Sequence, residues 1–277
     1  MAKGIGLIGN FKGKIGNMVG YKLTDSNSGN TQGIRVYQPI VKNPKTAAQA
    51  EQRAKLAPIN ATYRALKMVI DRGNEGLPYG NKSRLAWLKN AFKADYMPWF
   101  IKGAIIDRPV ICPLTKGSLT GVPFTVGEDN LWISITNATS ETAVGTVGAV
   151  STLLMGQFTF LKEGDQITLV AQCDLGNGLT FMVESFILDS TSSEATTLFT
   201  ATSGKIYWEP VGYNCVGTLI VSREGANGEH LRSNSALTSL ADIISDAPYD
   251  STSKTAAIES YRSSAAVNAD WAEESIQ

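Results

Sequence analysis

The sequence predicts a mixed α+β protein in which an N-terminal arm and two helices precede an antiparallel β domain. Three observations support this fold class. Glycines are concentrated before residue 43, apolar residues recur at helical spacing between residues 47 and 94, and short runs of alternating apolar and polar residues lie between residues 110 and 221. Such periods of about 3.6 and 2 residues are typical of helices and strands. With 277 residues, 43% of them hydrophobic, the chain has enough apolar material for a core.

Residues 1–43 are the first predicted segment, an extended, glycine-rich and basic arm. Two β-like runs, residues 18–23 and 33–41, flank the turn-forming sequence DSNSGN at residues 25–30. This pattern predicts a hairpin. Because glycine permits close backbone approach, we expect the arm to dock on a neighbouring copy, although a flexible terminus is the simpler alternative.

Residues 44–109 are predicted to form a kinked helical hairpin. Thr46 and Gln49 have the spacing of a capping box, which begins a helix. Alanines recur along one face from residue 47, and Pro58 is expected to kink or divide this helix near residues 54–57. Arg72 and Gly73 form a typical helix end. A second helix is predicted at about residues 82–94.

Residues 110–223 are predicted to form an antiparallel β-sandwich of the immunoglobulin-like type. Strands are expected at residues 131–136, 166–172, 180–188, 204–208 and 216–221, with turn sequences at 127–130, 162–165 and 175–178. Several short strands separated by such turns favour a sandwich or a barrel. Residues 224–277 are an alanine- and serine-rich acidic tail with predicted helices at 236–245 and 253–273.

Charge is distributed unevenly along the chain, although the formal net charge is zero. Residues 1–116 contain 19 basic and 6 acidic residues, whereas residues 117–277 contain 6 basic and 19 acidic ones. Such asymmetry indicates an interaction surface. The basic half can bind nucleic acid, or it can dock on the acidic half of another copy and so build a ring or filament. The third reading is that the two halves only carry different solvated faces.

The sequence offers little material for catalysis or metal binding. Residues 4–9 read GIGLIG and match the dinucleotide-binding pattern G-x-G-x-x-G, but no strand precedes them, so the match is weak. Cys112, Cys173 and Cys215 are dispersed and are expected to be buried thiols, and His230 is expected at the surface. We therefore predict no enzyme, no cofactor, no metal site, no small-molecule substrate and no membrane segment.

Three segments of the chain together resemble a family of uncharacterised proteins from Bacteroidota and their phages. They are residues 9–22 (GNFKGKIGNMVGYK), 41–53 (VKNPKTAAQAEQR) and 114–119 (LTKGSL). The matching positions are Lys12, Gly13, Lys14, Gly16 and Gly20 in the arm and Asn43, Pro44, Thr46, Gln49 and Arg53 at the helix start, which follows the pattern N-P-K/R-T-x-x-Q. The family has no assigned activity. Its occurrence among phage genes implies a virion structural role.

The predicted function is therefore that of a phage virion structural protein, such as a head–tail connector or tail-ring component. It is expected in the virion, after assembly in the host cytoplasm, with itself and other virion proteins as partners. The residues expected to contact a neighbouring subunit are Phe11, Lys12, Lys14, Tyr21, Lys22, Arg35 and Arg53. One alternative is an immunoglobulin-like adhesion module in which tryptophans such as Trp132 and Trp208 stack on host glycans. Another is a nucleic-acid-associated packaging protein that uses residues 1–116.

Overall fold

The computed structural model describes residues 13–15, 17–25, 29–36, 46–127, 130–174, 178–208, 213–239 and 244–263. The chain divides into two compact units, residues 1–45 and residues 46–277. Helices and antiparallel sheets occur together, which confirms the mixed α+β class. The division differs from the four predicted segments because helices, strands and the C-terminal helix of residues 46–277 share one hydrophobic core cluster.

The N-terminal unit contains a three-stranded antiparallel sheet. Its strands are β1 (Gly13–Ile15), β2 (Met18–Asp25) and β3 (Gly29–Val36), in the order β1-β2-β3. The β2–β3 ladder runs from Met18 opposite Val36 to Asp25 opposite Gly29. The predicted hairpin is thus confirmed, but its second strand begins at Gly29 rather than at residue 33. Residues 37–41 of the predicted strand lie outside the described residues.

The first helices of the second unit are α1 (Ala47–Ala65), α2 (Lys67–Ile70) and α3 (Asn81–Ala91). The predicted capping box is confirmed in part. The Thr46 hydroxyl accepts a hydrogen bond from the Gln49 N–H at 3.3 Å, but the buried Gln49 Oε1 has no hydrogen-bond partner among the described residues. The helix is not divided near residues 54–57, however; α1 continues through Pro58 and the break comes at Leu66. Pro58 is buried on the packed face of α1, and we attribute the helix's continuity to that packing, which offsets the one lost backbone hydrogen bond.

The remaining elements form two larger sheets, a small sheet and two further helices. In chain order they are β4 (Pro113–Thr115), β5 (Thr125–Val126), β6 (Leu131–Ser134), α4 (Val147–Gln157), β7 (Gln166–Asp174), β8 (Met182–Ile187), β9 (Thr200–Thr202), β10 (Lys205–Trp208), β11 (Tyr213–Glu224), β12 (His230–Arg232), β13 (Ser235–Ala236), β14 (Thr238–Ser239) and α5 (Ser251–Ser263). One sheet has the order β5-β6-β10-β9, and the other has the order β12-β11-β7-β8, with β14 also paired to β11. β13 pairs with β4.

The β7–β11 ladder separates two hydrophobic cores. Leu169 and Leu219, directly paired on these strands, belong to a core shared with β6, β10 and α4. Their neighbours Val170 and Ile220 belong to the other core, which is shared with α1, α2, α3 and α5. Because successive residues of a strand point to opposite faces, the central sheet is covered on both sides. The second unit is thus layered, with helices on one face of the central sheet and a second sheet on the other.

Two predicted elements of the second unit are wrong. The region predicted to be all-β contains helix α4, whose start is capped by Thr146 through a hydrogen bond from the Ala149 N–H. The helix predicted at residues 236–245 begins instead with strands β13 and β14, because these residues complete the edges of β4 and β11. Residues 240–243 lie outside the described residues, and residues 244–245 are helical. The second predicted tail helix is present as α5, and residues 264–277 lie outside the described residues.

Candidate assembly surfaces

The predicted subunit-contact residues are distributed over both units. The structure places Lys14 on β1, Tyr21 and Lys22 on β2, Arg35 on β3 and Arg53 on α1, while Phe11 and Lys12 lie outside the described residues. Four of the seven therefore lie in the N-terminal sheet. Arg53 belongs to the other unit, in a helix whose buried face packs on the core, so it is not part of the arm.

The strand register brings two of these basic positions into one row. Lys14 is paired with Val19, and Val19 is paired with Arg35, so the three positions lie side by side across β1, β2 and β3. Residues directly opposite each other share a face of the sheet. Lys22 is three residues from Val19 along β2, and the alternation of strand positions therefore puts it on the other face. Both faces of the N-terminal sheet thus include a basic position.

The two units carry opposite net charges. Residues 1–45 contain seven basic residues and one acidic residue, a formal charge of +6. Because the whole chain is neutral, residues 46–277 have a formal charge of −6. Within the second unit the charge is again uneven, since residues 46–116 have a formal charge of +7 and residues 117–277 one of −13. Opposite net charges on two surfaces accelerate and orient their association.

Strand β8 is the exposed edge of the central sheet. In the described part of the chain it pairs only with β7 and ends the order β12-β11-β7-β8. Most of its side chains are exposed, including three apolar ones: Met182 by 39%, Val183 by 42% and Ile187 by 58%. An edge strand presents unpaired backbone N–H and C=O groups, and it is a template for pairing with another chain.

A groove of about 660 Å³ lies along this edge. It is lined by residues of β8 and by the segment 189–198, among others. Among the described residues, its lining includes three exposed carboxylates, those of Glu184, Asp189 and Glu194, and no basic residue. None of the three forms an ion pair with any residue that the structure describes. As far as the structure describes the chain, the groove is therefore an acidic surface without paired basic groups.

Local hydrogen bonds keep one of these carboxylates charged. The Thr191 hydroxyl donates to Asp189 Oδ1 at 2.7 Å, and the Thr191 N–H donates to the same oxygen at 2.9 Å. These bonds lower the pKa of Asp189 below its ordinary value. Beside it, Glu163 accepts hydrogen bonds from the N–H and the hydroxyl of Ser190, which fixes the start of the segment that lines the groove.

A second feature of the surface is a pair of aromatic rings on the other large sheet. Trp132 on β6 and Tyr207 on β10 are paired across the strands, and their ring centroids are 6.0 Å apart. Lys205 Nζ lies over the Trp132 ring at 4.3 Å from its centroid. Both rings are half-buried, whereas Trp208 is only 4% exposed and belongs to the core. Of the two tryptophans considered for glycan stacking, Trp208 is therefore corrected to a core residue.

A second cavity, of about 380 Å³, lies between α3 and the β4–β13 sheet. Its walls include the buried Trp87 and the amide side chains of Asn74, Asn90 and Asn234. Asn74 is itself held by hydrogen bonds to Ser83. Asn74 thus joins α3 to the loop before it, and Asn234 accepts a hydrogen bond from the Gly117 N–H. The buried Trp87 Nε1 has no hydrogen-bond partner among the described residues.

The structure also shows where the cysteines and the histidine considered for metal or cofactor binding lie. Cys112 and Cys215 are buried, as predicted, and His230 is exposed with its ring 5.5 Å from that of Tyr79. Within the described ranges, no group of three or more metal-ligating residues converges. The glycine motif at residues 4–9 lies outside the described residues. No helix in the described part of the chain has the length and apolar character needed to cross a membrane.

The acidic groove is the surface feature that sequence reasoning missed. The strand at residues 180–188 was predicted, but its position at the edge of the sheet depends on pairing with β7 and not on its own pattern. The carboxylates were visible only as scattered acidic residues. A usable signal was the absence of basic residues between Lys162 and Lys205, a stretch that includes four acidic residues after residue 170.

Comparison with known proteins finds no matching family model, no significant match among curated proteins and none among solved structures. The resemblance to the uncharacterised phage-associated family therefore stays a prediction.

Proposed function

We propose that this protein is a phage virion structural protein, such as a head–tail connector or tail-ring component, whose copies assemble through the basic N-terminal unit. The supporting observation is the division of the chain into a compact unit of charge +6 and a second unit of charge −6. A heterologous contact between unlike surfaces of successive copies generates rings or filaments. Both are common architectures of virion components, and other virion proteins would be the further partners.

Salt dependence provides the first test of assembly. At about 50 mM NaCl the full chain is expected to form oligomers, and at about 500 mM NaCl it is expected to dissociate, because salt screens charges beyond a few ångströms. Size-exclusion chromatography with light scattering measures both states. A chain that stays monomeric at every salt concentration, also when mixed with the other proteins of the same particle, contradicts the proposal.

A pair of charge reversals tests the role of the N-terminal sheet. The variant Lys14→Glu with Arg35→Glu changes the row of positions shared by β1 and β3, and we expect it to remain monomeric at low salt. The matched control is Lys82→Glu with Lys93→Glu, which reverses two exposed charges in the other unit. The control is expected to assemble like the unchanged chain. Equal loss of assembly in both variants would indicate a net-charge effect and not a surface.

The virion assignment has its own test. Particles purified from a host that carries this gene are analysed by peptide mass spectrometry, and the protein is expected in a fixed ratio to the portal or tail proteins. Absence from intact particles, with the protein abundant in the lysate, contradicts a place in the virion.

The Trp132–Tyr207 pair favours one alternative function, an immunoglobulin-like adhesion module that binds host glycans. Half-exposed aromatic rings side by side on a sheet are suited to stacking on sugar rings. On a glycan array, binding that disappears in Trp132→Ala and Tyr207→Ala supports this alternative. Trp208→Ala is unsuitable as a probe, because removal of a core side chain destabilises the fold.

A further inference from the structure

We infer that the β8 edge and its acidic groove form the surface on which the N-terminal unit of a second copy docks, by adding the edge strand β3 to the central sheet. This inference rests on the proposed function, because it names the acceptor surface for the basic N-terminal unit. Three features lie together in the described part of the chain: an open strand edge, exposed apolar side chains on that strand, and a groove lined by carboxylates but by no basic residue.

The edges of the two larger sheets differ in length. In the part of the chain that the structure describes, β5 has 2 residues, β9 has 3 and β12 has 3, whereas β8 has 6. Native proteins usually keep edge strands short or place charges and prolines on them to prevent pairing. β8 has no proline, and its one charged residue, Glu184, is acidic. A further strand can therefore pair with the β8 edge, and the acidic charge of Glu184 favours a strand with basic residues.

The N-terminal unit supplies a strand of suitable length. β3 has 8 residues and, among the described residues, pairs only with β2 at one end of the order β1-β2-β3. It includes Arg35 and no acidic residue. When an extended segment adds to a sheet edge, main-chain hydrogen bonds give affinity and alternate side chains give specificity. Pairing of β3 with β8 would satisfy both open edges at once.

Charge identifies a second copy of this chain as the occupant. The groove carboxylates of Glu184, Asp189 and Glu194 have no cationic partner in the described part of the chain. The N-terminal unit carries a formal charge of +6. Opposite charges facing each other across paired strands stabilise the pairing. Because donor strand and acceptor edge lie on different surfaces, the contact is head-to-tail and can be repeated from copy to copy.

The test exchanges charges between two variants of the full chain. The acceptor variant is Glu184→Lys with Glu194→Lys, and the donor variant is Lys14→Glu with Arg35→Glu. In either variant alone, the donor surface and the acceptor surface carry charges of the same sign and repel each other. We therefore expect each variant to be monomeric by light scattering at low salt. When the two are mixed in equal amounts, every contact again joins opposite charges. The mixture is then expected to recover oligomers of the size formed by the unchanged chain.

Two controls keep the result interpretable. Asp95→Lys reverses an exposed acidic residue outside the groove lining, and it is expected to leave oligomer size unchanged. Thermal unfolding of each variant within a few degrees of the unchanged chain shows that the fold is retained. Recovery of oligomers in the mixture is a second, independent proof of folding, because unfolded chains cannot complement each other.

The outcomes separate this inference from the proposed function. If the unchanged chain forms salt-sensitive oligomers and the acceptor variant assembles equally well, β8 is not the acceptor surface, while assembly through the N-terminal unit stands. If folded donor and acceptor variants fail to assemble when mixed, the strand-addition contact is also overturned. If the unchanged chain is monomeric at low salt, both proposals fail.

Discussion

Arg223 and Asp165 form a bidentate ion pair that joins β11 to the turn preceding β7. Arg223 Nε and one terminal nitrogen each donate to a carboxylate oxygen at 2.6 Å, and the same terminal nitrogen donates to the Phe160 carbonyl at 2.8 Å. The Asp165 side chain is only 1% exposed. Its hydrogen bonds raise the pKa of Arg223 further above its ordinary value. The pair fixes the connection between α4 and the central sheet.

Replacement of Asp165 by Asn is expected to destabilise the fold strongly. The substitution leaves the Arg223 guanidinium facing a neutral amide in a mostly buried site, and removal of one partner of such a pair typically costs about 3–5 kcal/mol. Urea denaturation measures the free energy of unfolding. The control is Glu259→Gln, which removes the exposed Arg262–Glu259 pair and is expected to cost less than about 1 kcal/mol. Equal effects of the two substitutions would contradict the structural role assigned to Asp165.

The ionisation of Glu75 makes the free energy of unfolding depend on pH. Burial raises the pKa of Glu75, but hydrogen bonds from the Ser118 N–H at 2.8 Å, the Arg232 N–H at 3.1 Å and the Ser118 hydroxyl outweigh it, so the pKa lies below 4.5. The carboxylate therefore contributes stability that is complete above pH 4.5 and is lost as the pH falls through the lower folded value.

Glu75→Gln is expected to remove this dependence. At pH 7 the variant is expected to be less stable by about 1 kcal/mol, because a half-exposed charged acceptor of several hydrogen bonds is lost. Once the pH has fallen below the lowered folded pKa of Glu75, the difference should vanish, since the carboxyl of the unchanged chain is then protonated in both states. Denaturation midpoints between these pH values measure the difference. A constant difference at every pH would show that the effect is steric and not electrostatic.

Local chemistry was sufficient to predict some elements and insufficient for others. The Thr46 cap and the β6–β10 strands follow from side-chain spacing within a few residues. Helix α4 was missed because its sequence, VGAVSTLLMGQ, has no charged residue and few polar ones, so the periodicity of a helix with one solvent-exposed face is weak. The acidic groove and the Arg223–Asp165 pair join residues far apart in the chain, and their contact depends on how β7 pairs with its neighbours.

The buried Cys112 thiol is expected to be chemically inert in the folded protein. Burial of the thiol raises its pKa to about 12. At pH 8 almost none of this thiol is ionised, and the thiolate is the reactive form. Iodoacetamide labelling followed by peptide mass spectrometry should therefore modify Cys112 only after denaturant is added. Rapid labelling of Cys112 in buffer would contradict the packing of α3 against β4.

Two glycines of helix α4 are expected to respond in opposite ways to alanine. A β-carbon on Gly148 would lie 2.4 Å from the Ser192 carbonyl oxygen and 2.9 Å from that of Ser190, so the segment lining the acidic groove must move. A β-carbon on Gly156 meets no atom within 4 Å.

Gly156→Ala is accordingly expected to stabilise the protein by about 0.5–1 kcal/mol, since alanine restricts the unfolded chain and favours the helix. Gly148→Ala, in the same helix, is expected to destabilise it by about 1–3 kcal/mol, the usual cost of overpacking. Paired denaturation curves measure both changes, and near-UV circular dichroism checks that the tertiary packing is retained. Because propensity alone predicts a gain at both positions, a gain in Gly148→Ala would show that the segment at 190–192 does not pack against α4 as described.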